Sequence, residues 1–166
     1  MHQPKLSHRL TALAMIAALV AADQLAKAWA QSSLRFEPGR ILVPGVLGLQ
    51  YAENTGISFS MLGDFQAAML VVTILTGALM LVGIIFLLRG KFVGMQLWSA
   101  SLVLAGGLGN FIDRALQGYV IDYFEFLFMR FAVFNLADVF ITCGVVWLAA
   151  TVLWGESARK KAAVRL

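Results

Sequence analysis

Four apolar runs decide what this chain can fold into. They cover residues 10–30, 65–88, 92–112 and 131–154. Each reaches the length of about 20 residues that a helix needs to cross the hydrocarbon of a bilayer. The second and third runs carry no charge. The first holds Asp23 and Lys27 in its distal third, and the fourth holds Asp138 as its only charged residue. Across 166 residues the chain is 60% hydrophobic and 13% charged, far from soluble composition. The expected architecture is one integral membrane domain over residues 1–166, mainly α, with four transmembrane helices.

The basic residues orient these spans. One side receives Lys5, Arg9, Arg89, Lys91, Arg159, Lys160, Lys161 and Arg165, opposed only by Glu156. The other receives Lys27, Arg35, Arg40, Arg114 and Arg130 together with the remaining acids. The positive-inside rule then puts both termini in the cytoplasm and residues 31–64 and 113–130 outside. The net charge of +4 is read as this orientation signal and not as a nucleic-acid footprint.

Residues 31–64 are too long for a turn. Ile41-Leu42-Val43, Leu47-Gly48-Leu49-Gln50-Tyr51 and Ser58-Phe59-Ser60-Met61, separated by glycine and proline, read as strands of a small outer sheet resting on the bilayer as a cradle. Residues 113–130 read as an outer loop, and Arg159–Leu166 as a frayed cytoplasmic end. The N-terminus, with Lys5, Arg9, an apolar run and Ala28-Trp29-Ala30, also has the form of a cleavable secretory signal. Against that, Asp23 and Lys27 are four apart on one helix face and read as a paired element.

A carboxylate at the edge of hydrocarbon is costly and normally faces a protein interior or a wet cavity. Asp138 is such a residue, with Asn135 three positions earlier on the same face. Asp122 lies among apolar neighbours in the preceding outer loop. Two carboxylates brought together can share a proton and activate a water. The simpler reading is that each caps a helix or loop end. A second polar group, Asn110, Asp113 and Arg114, follows Gly106, Gly107 and Gly109. Its amide and guanidinium suit peptide carbonyls or a developing oxyanion, and its glycines suit close helix packing. Asn54, in Asn54-Thr55-Gly56-Ile57-Ser58-Phe59, reads as part of a turn when taken alone, and Asp23 with Lys27 as an interfacial ion pair.

Other chemistries fit less well. The two histidines, His2 and His8, sit in the N-terminal tail, away from any serine in the spans. The single cysteine, Cys143, offers neither a disulfide nor a zinc site. A serine–lysine pair would need Lys27 neutral, which Asp23 opposes. A membrane aspartic protease is the preferred reading. A proton-coupled transporter lined by Asp23, Lys27, Asp113, Arg114 and Asp138 is the alternative, and a non-catalytic membrane scaffold is a third.

At these positions the sequence resembles the lipoprotein signal peptidases, or signal peptidase II. The matching pieces occur in the family's order: Asp23-Gln24-Leu25-Ala26-Lys27, Asn54-Thr55-Gly56-Ile57-Ser58-Phe59, Gly109-Asn110-Phe111-Ile112-Asp113-Arg114, Val120-Ile121-Asp122-Tyr123 and Phe134-Asn135-Leu136-Ala137-Asp138. Ser58 and Tyr123 stand where the family often has alanine and phenylalanine. The resemblance implies an endopeptidase of the bacterial cytoplasmic membrane, active near the outer face and functional as a monomer. Its substrates would be diacylglyceryl-modified prolipoproteins, cut before the lipidated cysteine. It implies no metal, no cofactor and no nucleic-acid partner. The catalytic pair maps to Asp122 and Asp138. Substrate-binding or site-ordering roles map to Asp23, Asn54, Asn110, Asp113, Arg114 and Asn135, with Lys27 beside them. The outer sheet would be the family's β-cradle, with a half-helix in the loop before span four.

Overall fold

A computed structural model describes residues 4–55 and 65–163. Its elements in order are α1 (Leu6–Leu34), β1 (Arg40–Val43), β2 (Leu47–Asn54), α2 (Phe65–Leu88), α3 (Met95–Gln117), β3 (Val120–Phe126) and α4 (Leu136–Ala163). Residues 56–59 of the asparagine motif and the expected strand at Ser58–Met61 lie outside the described residues.

Among the described residues, three helices are long and apolar enough to cross a membrane: α1, α2 over Met69–Leu88 and α4 over Leu136–Leu153. Their outward faces are aliphatic; on α2, Leu70, Ile74, Leu75 and Leu79 are all well exposed. Such a surface is stable only against lipid or another apolar partner. α3 differs. It packs against α1, α2 and α4 and buries a mixture of small and polar residues, among them Ser99, Ser101, Asn110 and Asp113. A helix enclosed by three others has less need of a hydrocarbon-compatible surface.

Glycine sets the closest helix approach. A side chain on Gly106 would collide with the Ala137 carbonyl and with Ile141 on α4, and one on Gly144 of α4 would meet Ser99 and Leu102 of α3 at 2.9 Å. Gly106 and Gly144 therefore let α3 and α4 pack backbone to backbone.

The sheet has the order β1-β2-β3, antiparallel throughout. Val43-Pro44-Gly45-Val46 turns β1 into β2, closed by the Val46 N–H donating to the Val43 carbonyl at 3.0 Å. Proline presets the first corner, and Gly45, at φ +69°, takes the left-handed second corner. β2 carries one extra residue between Leu49 and Ala52, opposite Phe124 and Asp122. Such bulges bend a strand and re-aim its neighbours. The sheet covers the end of the helices where α1 and α3 finish and α4 begins. Ala30 and Leu34 of α1 pack there against Ile121 and Tyr123 of β3.

Two segments differ from the sequence reading. Residues 113–130 are loop only at 118–119 and 127–130 and hold no half-helix: α3 runs on to Gln117, and β3 fills Val120–Phe126. α4 begins at Leu136, not near residue 131, because the stretch before it is extended. Phe134 pairs with Phe124, with backbone hydrogen bonds of 2.8 and 2.9 Å. At its other end α4 stays helical to Ala163, beyond the expected start of fraying.

Candidate active site

The polar residues that the sequence scatters over α1, β2, α3, β3 and α4 meet where the sheet joins the helices. Lys27 on α1 is the first centre. Its Nζ lies 2.9 Å from Asp23 Oδ2, 2.9 Å from Asp113 Oδ2 and 2.9 Å from Asn110 Oδ1. Lys27, Asp23 and Asp113 are all at most 3% exposed. A buried ammonium needs three acceptors, and here it finds three. The carboxylates are engaged beyond it. Asp23 Oδ1 accepts the Ala137 backbone N–H at 3.0 Å, which ties α1 to the first turn of α4. Asp113 Oδ2 accepts the Ile121 N–H at 3.1 Å, which ties α3 to β3. Gln24 donates to Asp113 Oδ1 at 3.0 Å and to the Gly109 carbonyl at 3.2 Å. A Cβ on Gly109 would stand 2.5 Å from Asp23 Oδ2, so only glycine leaves room for this arrangement.

Asn110 carries the network to the second centre. Its Oδ1 accepts from Lys27 and, at 3.1 Å, from Asn135 Nδ2. Its Nδ2 donates to Asp138 Oδ1 at 2.8 Å. The lysine thereby fixes which end of the amide is oxygen, and so which end faces Asp138. Asn135 Nδ2 also donates to Asp122 Oδ1 at 2.6 Å, and Asn54 Nδ2 to Asp122 Oδ2 at 2.9 Å. Asp122 and Asp138 are thus joined through two amides, Asn135 and Asn110. Asn135 is the N-cap of α4: its Oδ1 accepts the Asp138 N–H at 3.0 Å, while Asp138 Oδ2 accepts the Asn135 N–H at 3.0 Å. This reciprocal pair is a capping box in asparagine and aspartate. Asp138 thus both caps α4 and belongs to the amide-bridged network that reaches Asp122.

Asp23, Lys27, Asn54, Asn110, Asp113, Arg114, Asp122, Asn135 and Asp138, the site residues expected from the sequence, all lie in or beside this network. Arg114 is at its edge, donating to the Asn110 carbonyl at 3.3 Å, with its charge felt by Asp138 and Asp122. Both ends of the Asn110 amide are engaged within the protein, the arrangement of a site-ordering group. Among the described residues no buried side-chain nitrogen or oxygen lacks a partner. No cluster of three or more histidine, cysteine or acidic residues suited to a metal occurs among them either.

Burial separates the two carboxylates. Asp122 sits on β3 and is buried. Desolvation by burial raises its pKa to about 6, the Asp138 charge adds to the rise, and the amides of Asn54 and Asn135 oppose it. Asp138 is half-buried and opens onto a cavity of about 430 Å³. Asn54 and Asp138 supply its main polar wall, and Phe126, Phe131, Phe134 and Val139 much of the rest. Thr142 and Cys143 continue it one turn down α4. These apolar lining residues escaped the sequence reading, and Gln24, noted there beside Asp23, was given no role of its own. Apolar residues in an apolar chain carry no contrast, although five phenylalanines within residues 124–134 were a signal.

Fold and site together define a helical membrane protein with a carboxylate–amide centre at the junction of helices and sheet. The signal peptidase (SPase) II family model matches residues 15–154, and the chain belongs to that family, which makes it a protease. It is 38% identical over 151 residues to a lipoprotein signal peptidase of Streptococcus pyogenes serotype M2 (strain MGAS10270), covering 89% of this chain and 95% of that one. It is 36% identical over 138 residues to one of Latilactobacillus sakei subsp. sakei (strain 23K), covering 83% and 90%. Two solved bacterial membrane enzyme structures, at 2.3 Å and 1.9 Å resolution, superpose with TM-scores of 0.77 and 0.75, each at 25% identity. The first covers 95% of both chains, and the second covers 92% of this chain and 97% of its own.

Proposed function

We propose that this protein is an aspartic endopeptidase that removes signal peptides from diacylglyceryl-modified prolipoproteins, cutting before the lipidated cysteine. The observation that carries this reading is the amide-bridged pair of Asp122 and Asp138 beside a largely apolar cavity.

One carboxyl of the pair is ionised and the other holds the shared proton, a division expected when two carboxylates interact closely. The burial of Asp122 favours it as the holder. The ionised member takes a proton from a water, and the resulting hydroxide attacks the scissile carbonyl carbon. The protonated member donates a hydrogen bond to the carbonyl oxygen. On collapse the C–N bond breaks, and a proton passes to the amine of the new N-terminal cysteine. No covalent enzyme intermediate is required. The acyl chains of the substrate stay in the bilayer and hold the cysteine at one depth, so binding becomes a search within a plane.

This function fits an enzyme of the bacterial cytoplasmic membrane with both termini inside and the sheet outside. α3 serves as a fourth, enclosed span, and a single chain supplies the complete site. The test is cleavage of a diacylglyceryl-modified prolipoprotein by purified protein in detergent, wild type against Asp138→Asn. A cut before the lipidated cysteine that falls by about 10³-fold or more in a folded Asp138→Asn supports the reading, since a positioned acid–base group supplies roughly 10²–10⁴-fold and the pair acts as a unit. Equal cleavage removes Asp138 from the mechanism. No cleavage by folded wild type returns the transporter reading.

A further inference from the structure

The loop that joins β3 to the strand leading into α4 has an unusual surface. Leu127, Phe128, Met129 and Phe131 are 40%, 62%, 47% and 55% exposed, with Arg130 among them. The Leu127 N–H donates to the Val46 carbonyl at 3.0 Å, which joins this loop to the β1–β2 turn. Val43 and Val46 on that turn are also exposed, at 45% and 48%. The two tips form one apolar end of the sheet. In a protein bathed wholly in water, a patch of this kind marks a contact surface.

We infer that the Leu127–Phe131 loop dips into the outer leaflet and opens the site's cavity directly to lipid. Three observations favour lipid over a protein partner. Phe126 and Phe131 line both the cavity that Asp138 faces and a second, open hollow of the loop that Glu125 and Arg130 also border, so the loop is continuous with the site. The loop ends only a few residues before α4, whose exposed face is already lipid-compatible at Val145, Val146 and Trp147. The sequence Phe126-Leu127-Phe128-Met129-Arg130-Phe131 joins aromatic and aliphatic side chains to a single cation able to reach phosphate, the composition of interfacial segments.

The neighbouring backbone limits the depth. β1 is an edge strand, and its unpaired N–H and C=O groups cannot enter hydrocarbon without loss of hydrogen bonds. Only side chains enter, to roughly the 5–10 Å depth of interfacial elements. The inference rests on the proposed substrate for its use: an acyl chain would slide from the leaflet past Phe131 into the cavity without crossing water.

The test needs no catalysis, so its failure is distinct from failure of the protease reading. In a Cys143→Ala background, a nitroxide is attached at Phe128→Cys in the full-length protein in phospholipid vesicles. Its collision rates with oxygen and with a water-soluble nickel chelate are compared with those at two references. Leu75→Cys lies on the apolar face of α2, and Glu37→Cys lies in water near the sheet end of α1. The oxygen-to-nickel ratio at Phe128 shifts to the Leu75 side. A ratio at Phe128 and at Met129→Cys on the Glu37 side overturns the inference and leaves the loop as a surface for a soluble partner.

Discussion

Asn135 and Asp138 cap the first turn of α4 reciprocally, each side chain holding the backbone N–H of the other at 3.0 Å. The aspartate proposed for catalysis is therefore also a structural group, and the asparagine that orients it is a donor to Asp122. Asn135→Ala loses the cap, worth about 1 kcal/mol, leaves the Asp138 N–H without its acceptor and takes a donor from Asp122 Oδ1. A misplacement of the pair by a fraction of an ångström to one ångström costs about 10²-fold in rate. Asn135→Ser keeps a capping oxygen and lacks the amide donors. Thermal unfolding in detergent recovers in Asn135→Ser, while kcat stays low in both.

Asp122 titrates with a pKa near 6, against 3.8 for the free side chain, because burial disfavours its charge. The sign follows from linkage. Between those two values the unfolded chain has lost the proton and the folded chain keeps it, so stability falls as pH rises through this window and levels off above it. The penalty at neutral pH is about 3 kcal/mol at most. Asp122→Asn removes it, provided the exposed Asn54 amide turns over to present its oxygen. The unfolding midpoint of Asp122→Asn relative to wild type should climb between pH 4 and pH 6, and the variant should lack cleavage throughout. A pH-independent difference would falsify the raised pKa.

Lys27 neutralises two carboxylates that are themselves 0% and 3% exposed. Lys27→Met leaves both buried without a cation, at a cost of about 3–5 kcal/mol. Yield in the membrane and unfolding temperature should both drop. Adding Asp113→Asn, which removes one of the stranded charges, should recover part of the loss. Equal stability of the single and double variants would show that the two carboxylates are not coupled through the lysine.

Thr142 lines the cavity one turn along α4 from Asp138. Thr142→Trp fills the space proposed for the lipid-bearing residue. KM for the lipidated substrate should rise roughly tenfold, equivalent to about 1.4 kcal/mol, with a smaller change in kcat. Kinetics on one diacylglyceryl peptide at several detergent dilutions would read this directly.

The polar centre was legible because hydrocarbon penalises each of its members. Asp23, Lys27, Asn110, Asp113, Asn135 and Asp138 stand out in or beside apolar runs, and the cost of leaving them unpaired draws them to one place. The cavity was not legible, since Phe131 and Val139 look like any other lipid-facing residue. Neither was the start of α4. Apolar composition does not distinguish a helix from an extended segment, and the partner that makes residue 134 extended, Phe124, lies across a turn. β3 was hidden for a related reason: Asp122 is opposite Ala52, a pairing that sequence pattern alone does not announce.

The buried ion cluster also has a consequence for how the chain is made. Asp23 and Lys27 leave the ribosome early, but Asn110 is 83 residues behind Lys27 and Ala137 is 114 behind Asp23. At about 5–20 residues per second, the first helix waits on the order of ten seconds for its last partner. Throughout that interval it holds a lone ion pair that lipid does not welcome, so it should linger beside the insertion machinery until the first turn of α4 arrives. Biogenesis then ends with the same contact that completes the cluster, and a chain stalled before residue 137 should remain open to extraction and proteolysis.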